Sequence, residues 1–153
     1  MIKLVVFDFD GVFTNGCINF IENNKPTNYM VKYNVKDGMA IKLLRDKNIK
    51  TGCISSFNFI KKIFIKEDYE GSSCISEIQS RELIFKHLKF DYYSIGKSNK
   101  LEILQNWIRK ININFNEIAY IGDDLSDIKI LERVKLSACP NNAIQECKLV
   151  SNY

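Results

Sequence analysis

The chain has 153 residues, 46% hydrophobic and 26% charged, which is the size and balance of one soluble globular domain with a sizeable core. Two Pro and seven Gly exclude a disordered or collagen-like chain, and no apolar run approaches the roughly 18 residues of a membrane span. The net charge of +4 comes from scattered lysines without a basic stripe, which favours small anionic substrates over nucleic acid, and the N-terminus has no signal-peptide layout, so the expected location is the cytoplasm.

Residues 2–7 are a short apolar, β-branched run that stops at Asp-Phe-Asp-Gly, the pattern of a buried parallel strand. Residues 17–21 and 28–34 alternate in part and predict a β-hairpin with its turn near 22–27. Asp37-Gly38 opens a helical stretch through Arg45, with Asp37 available as N-cap. A second strand over 49–54 ends at Ser55-Ser56. Residues 57–66 read as a helix and 67–73 as a loop. An amphipathic helix follows over 77–88, a strand over 91–95, and a helix over 99–111 that carries Trp107 as a core anchor. A strand over 118–121 leads into Gly122-Asp123-Asp124. A helix over about 126–133 and a short strand over 135–139 complete the chain. No repeat or long linker interrupts this order.

Strands alternating with helices imply an α/β fold with a mostly parallel sheet. Ligands of such sheets bind beyond the carboxyl ends of the strands. The residues placed there are Asp8, Asp10, Ser55, Lys100, Asp123 and Asp124. Five cysteines with no C-x-x-C pair argue against a disulfide framework or a zinc site. His87, the only histidine, reads as a helix-surface residue. The chemistry therefore falls to carboxylates, hydroxyls and lysines. Carboxylates spaced i, i+2 after a strand can converge on one cation, one by side chain and one by backbone carbonyl. With the cluster Asp123, Asp124 and Asp127 they form an all-oxygen set suited to Mg²⁺. A lysine and a serine at neighbouring strand ends would complete a phosphate cradle.

Phe7-Asp8-Phe9-Asp10-Gly11-Val12-Phe13-Thr14 resembles the first motif of the haloacid dehalogenase (HAD) superfamily, and Gly122-Asp123-Asp124-Leu125-Ser126-Asp127 resembles its fourth. More narrowly, the chain is similar to the 3-deoxy-D-manno-octulosonate 8-phosphate phosphatases and to the phosphatase-like C-terminal domains of N-acylneuraminate cytidylyltransferases. The narrower likeness rests on residues 10–16, 33–44, 98–101, 118–127 and 133–137, and it covers nearly everything except about 57–75. It implies one domain over 1–153 with a Rossmann-like HAD fold, its mostly parallel sheet flanked by helices. The fold would be capless, with a β-hairpin flap at about 17–35 and an insertion at about 57–75.

The resemblance also implies roles. Asp8 would be the nucleophile that forms an aspartyl-phosphate, and Asp10 the acid and base. Mg²⁺ would be held by Asp8, the Asp10 carbonyl and Asp123, with Asp124 or Asp127 behind them. Gly11, Ser55 and Lys100 would contact the phosphoryl group. The implied enzyme is a Mg²⁺-dependent phosphomonoesterase acting on a phosphorylated 2-keto sugar acid. The alternatives are a nonulosonate 9-phosphate phosphatase and a non-catalytic oligomerisation module. Members of this family cover the site by forming a homotetramer. Three departures stand out. Ile54-Ser55-Ser56-Phe57 replaces the usual Ile-Thr-Gly-Arg. Cys-Ile-Ser occurs at both 53–55 and 74–76, the spacing from Asp37 favouring Ser55. The 153 residues reach Tyr153 before the glycine- and arginine-containing tail that usually follows in this family.

Overall fold

The computed structural model describes residues 1–17, 19–21, 28–30, 32–56 and 77–153. The elements in chain order are β1 (Leu4–Phe7), β2 (Asn19–Ile21), β3 (Asn28–Met30), α1 (Val35–Asp46) and β4 (Lys50–Ser55). They continue with α2 (Glu77–Leu88), β5 (Tyr92–Ile95), α3 (Lys100–Ile111), β6 (Ile118–Ile121), α4 (Ile128–Leu131), β7 (Leu136–Ala138) and α5 (Gln145–Val150). β2 and β3 pair antiparallel, Asn19 opposite Met30, as the hairpin expectation requires. Its turn, the helix expected over 57–66 and the loop expected over 67–73 lie outside the described residues.

The main sheet has five parallel strands in the order β5-β4-β1-β6-β7. β1 is central, and its strict alternation feeds two cores. Leu4 and Val6 pack on one face with Leu104 of α3, Ile130 and Leu131 of α4 and Cys147 of α5. Val5 and Phe7 pack on the other with Ile41 of α1 and Phe85 of α2. Burial on both faces explains why β1 reads as a continuous apolar run. On the first face Gly52 of β4 makes room for Trp107, since a Cβ there would lie 2.7 Å from the indole ring. Tyr92 packs on the same indole at 5.6 Å. Cys53 and Cys147 are buried free thiols, Cys17 is exposed, and Cys74 lies outside the described residues.

Three local expectations need correction. α1 begins at Val35, earlier than expected, and its cap is the Asn34 side chain, which accepts from the Lys36 amide at 3.0 Å. Asp37 sits in the first turn instead, where its charge still suits the positive end of the helix. α4 has only four residues, because 124–127 are folded into a tight turn, with the Asp127 amide donating to the Asp124 carbonyl at 2.8 Å. α5 had no signal in the sequence, since Ile144 precedes it without any side-chain cap. It docks on the loop after β6, with Ile144 N–H on the Asp123 carbonyl and Cys147 Sγ on the Asp124 carbonyl.

The sheet order sets the site. From β1 the chain moves outward to β4 and β5, then crosses back to β6 and β7 on the other side. The connections therefore diverge above the carboxyl ends of β1 and β6, which opens a crevice there. Among the described residues no helix is long and apolar enough to cross a membrane.

Candidate active site

Asp8 follows the last residue of β1, and its amide donates to the Ile121 carbonyl at 2.8 Å, extending the ladder with β6 by one step. This holds Asp8 against the turn that carries Asp123 and Asp127. The next turn of chain is stapled by Thr14, whose hydroxyl oxygen accepts from the amides of Gly11 (3.2 Å) and Gly16 (3.1 Å). Gly11 has φ +83, and a Cβ built on it would fall 1.9 Å from Asp123 Oδ2. Only glycine lets the two loops approach this closely.

Lys100, at the start of α3, is 2% exposed. Its Nζ lies 2.9 Å from Asp8 Oδ1, as an ion pair without a well-aligned hydrogen bond, and donates to Asp127 Oδ1 at 2.8 Å. Burial works against the ammonium, but Asp8 and Asp127 outweigh it and hold Lys100 above its ordinary value. Asp127 is fully buried and saturated. Its Oδ1 also accepts from Tyr120 Oη at 2.5 Å, and its Oδ2 accepts from the amides of Asp123 (3.2 Å) and Asp124 (3.3 Å). Asp127 thus orients both the lysine and the loop that carries Asp123.

Asp8, Asp123 and Asp127 each offer an oxygen within 4.8 Å of the others. Burial raises the carboxyls of Asp8, to about 8, and Asp123 above the ordinary carboxylate range, with Lys100 acting against the rise. Asp123 Oδ1 is buried without a hydrogen-bond partner among the described residues. Two carboxyls short of positive charge, one with an unsatisfied oxygen, fit a hard divalent cation. On the β4 side, Asp10 Oδ2 accepts from Arg81 Nη1 at 2.7 Å and from Ser55 Oγ at 3.3 Å.

Residues 20–153 match the family model of the haloacid dehalogenase-like hydrolases. The chain belongs to that family. Among curated proteins it is similar to the 3-deoxy-D-manno-octulosonate 8-phosphate phosphatase of Salmonella typhi, 30% identical over 142 residues, or 93% of this chain and 64% of that protein. The corresponding phosphatase of Escherichia coli K12 is 28% identical over the same shares. Among solved structures it is similar to the 3-deoxy-D-manno-octulosonate 8-phosphate phosphatase of Moraxella catarrhalis in complex with magnesium ion, phosphate ion and KDO. That match has a TM-score of 0.78 at 25% identity and covers 99% of this chain and 75% of the other. The chain therefore spans just under two thirds of the length of the curated relatives it matches.

In this haloacid dehalogenase-like chain the structure brings Asp8, Lys100, Asp123 and Asp127 into one group, and Asp10 and Ser55 into a second beside it. Asp124 stays apart, exposed, with its carboxylate on the Leu125 amide at 2.7 Å, whereas Asp127 is buried against Lys100 and Tyr120. The Gly11 amide is engaged by Thr14, and what Gly11 gives the site is the space Asp123 occupies. Arg81 was not anticipated. It lies four residues before Phe85 and seven before Leu88, on the buried face of α2, and is 2% exposed. An arginine on an apolar helical stripe is the signal that could have found it.

Proposed function

We propose that the chain is a Mg²⁺-dependent phosphomonoesterase that hydrolyses a phosphorylated 2-keto sugar acid of the 3-deoxy-D-manno-octulosonate 8-phosphate kind. The carrying observation is a buried lysine paired with Asp8 at the end of β1, beside an Asp123 oxygen that has no hydrogen-bond partner among the described residues. The named activity of the relatives supports the substrate class, and the ions in the Moraxella catarrhalis complex support the metal.

Asp8, the Asp10 carbonyl and Asp123 would hold the Mg²⁺, with Asp127 behind them. When bound, the ion supplies positive charge to the carboxylates and to a phosphoryl oxygen. Asp8 attacks phosphorus with a carboxylate oxygen, the bond from phosphorus to the sugar oxygen breaks, and Asp10 gives that oxygen a proton. Water then attacks the same phosphorus and passes a proton to Asp10, and the Asp8 carboxylate leaves. Lys100 holds Asp8 in line and offsets charge on the transferring group. Ser55, which donates to Asp10 in this structure, turns its hydroxyl to a phosphoryl oxygen. The working form is a cytoplasmic homotetramer whose copies meet through the β2–β3 hairpin and cover a site that lacks a cap. Light scattering that finds a monomer at micromolar concentration removes the tetramer.

The test is phosphate release from a panel of sugar-acid phosphates with and without Mg²⁺. The expected result is Mg²⁺-dependent turnover, highest on 3-deoxy-D-manno-octulosonate 8-phosphate, and lost in Asp8→Asn. Preference for a nonulosonate 9-phosphate moves the substrate assignment. No metal-dependent turnover of any member, or full turnover by Asp8→Asn, sinks the mechanism.

A further inference from the structure

Arg81 comes from within a helix, whereas the other site residues come from strand ends, turns and a helix start. It is 2% exposed. A guanidinium removed from water so completely needs partners that satisfy its charge and its N–H groups. Among the described residues these are Asp10 Oδ2 at 2.7 Å from Nη1, Ser55 Oγ at 3.3 Å from the same nitrogen, and the Phe9 ring, whose centroid lies 5.1 Å from Cζ. Ser55 Oγ in turn donates to Asp10 Oδ2 at 3.3 Å. Arg81 Nη1, Ser55 Oγ and Asp10 Oδ2 thus close a triangle in which two of the three contacts fall on Asp10 Oδ2. The helix is pinned to the Asp8–Asp10 segment as well, since Phe85 packs edge-on against Phe9 at 5.0 Å.

Exposure decides what this triangle can do. The Asp10 side chain is 32% exposed and that of Arg81 only 2%. The carboxylate faces the crevice and the guanidinium stands behind it. Arg81 therefore acts through Asp10 and does not meet the substrate first. When Ser55 turns its hydroxyl to a phosphoryl oxygen, Arg81 still holds Oδ2.

We propose that Arg81 is a positioning residue for proton delivery to the leaving group. It anchors Asp10 by Oδ2, so that Oδ1 is presented to the departing oxygen. As the bond between phosphorus and the sugar oxygen breaks, its electron pair stays on that oxygen, which takes the proton from Asp10 Oδ1. This rests on the reading of Asp10 as acid under the proposed function. It has a selective consequence. A sugar alkoxide is a poor leaving group without a proton, whereas nitrophenolate departs without one. Loss of orientation at Asp10 must therefore harm the two kinds of ester unequally. A role for Arg81 in phosphate binding, or only in folding, would harm them equally.

The experiment measures kcat and KM of wild type, Arg81→Met and Arg81→Lys with Mg²⁺, on p-nitrophenyl phosphate and on the sugar-acid phosphate that the panel shows to be turned over best. General acid catalysis contributes at least about 100-fold, so Arg81→Met is expected to lose roughly 30- to 100-fold in kcat on the sugar ester and less than about threefold on the nitrophenyl ester. Arg81→Lys keeps a charge without the planar fork, falls between, and carries the comparison if Arg81→Met does not fold. Equal losses on both esters, or no loss on the sugar ester, overturn the proposal while leaving the phosphatase reading intact. A wild type that turns over neither ester removes that reading and this proposal together.

Discussion

Replacing Gly11 with alanine tests the closest approach in the site. The added Cβ would sit 1.9 Å from Asp123 Oδ2 and 2.5 Å from its Cγ. Non-bonded heavy atoms settle near about 3.5 Å, so the carboxylate must retreat by more than about an ångström. The Asp123 backbone is tied at both ends, its amide to Asp127 Oδ2 at 3.2 Å and its carbonyl to the Ile144 amide at 3.1 Å. The retreat must therefore come from side-chain rotation, which displaces the carboxylate from its place beside Asp8 and Asp127. The φ of +83 adds about 1–2 kcal/mol of backbone strain for a residue with a Cβ. Mg²⁺ demands near-ideal octahedral geometry, and disturbed support around a metal ligand typically costs 10- to 100-fold in affinity. Gly11→Ala is expected to lose about 1–2 kcal/mol in urea denaturation and at least about tenfold in Mg²⁺ affinity by calorimetric titration. A folded Gly11→Ala protein that binds Mg²⁺ as tightly as wild type would refute the reasoning.

Two further perturbations probe the framework. Lys100→Met removes the ammonium that lies 2.9 Å from Asp8 and 2.8 Å from Asp127, leaving two buried carboxyls with no cation between them. The metal-free protein is expected to lose about 3–5 kcal/mol by urea denaturation, and a loss below about 1 kcal/mol contradicts a desolvated lysine at this point. Asp91 lies at the start of β5. Partial burial works against its charge, but hydrogen bonds from the Thr51 amide at 2.9 Å and from Lys50 at 2.9 Å win and hold its carboxyl below 3.8. A carboxyl lowered by folding stabilises the protein above its unfolded value and loses that contribution as pH falls through the folded one. Asp91→Asn is therefore expected to cost about 1 kcal/mol at pH 7, with the gap to wild type closing as pH falls below the ordinary carboxylate range. A gap that is the same at both ends of a pH series of melts counts against this assignment.

Much of the site can be read in the sequence because a parallel sheet gathers its strand ends on one edge. Leu4–Phe7 and Ile118–Ile121 are each recognisable as apolar strands, and the sheet pairs them, so that their ends bring Asp8 and Asp123 together. Lys100 is equally visible as the first residue of a helix after a short loop. The motif pattern did not separate Asp124 from Asp127, since both follow the same strand. Their difference arises from the turn, which points one into the core and leaves the other in water. Arg81 was hidden for another reason. Its role depends on which face of α2 is buried, and an arginine on a helix is ordinarily solvated. The extent of α1 shows the limit of capping rules, since the cap lies three residues before the expected Asp37. Asn34 has the extended backbone a cap requires, with φ −85 and ψ 128, while Asp37 is already helical. α5 is held by contacts to the Asp123 and Asp124 carbonyls and has no local signal of its own.

The central claim is that Asp8 takes the phosphoryl group. Its most direct measurement is an acid quench during steady turnover with Mg²⁺, followed by mass spectrometry of the peptide that spans Asp8. The expected result is one added phosphoryl group on that peptide, released by hydroxylamine and absent from Asp8→Asn. Sustained phosphate release by Asp8→Asn, or an adduct found on another residue and never on Asp8, would contradict it.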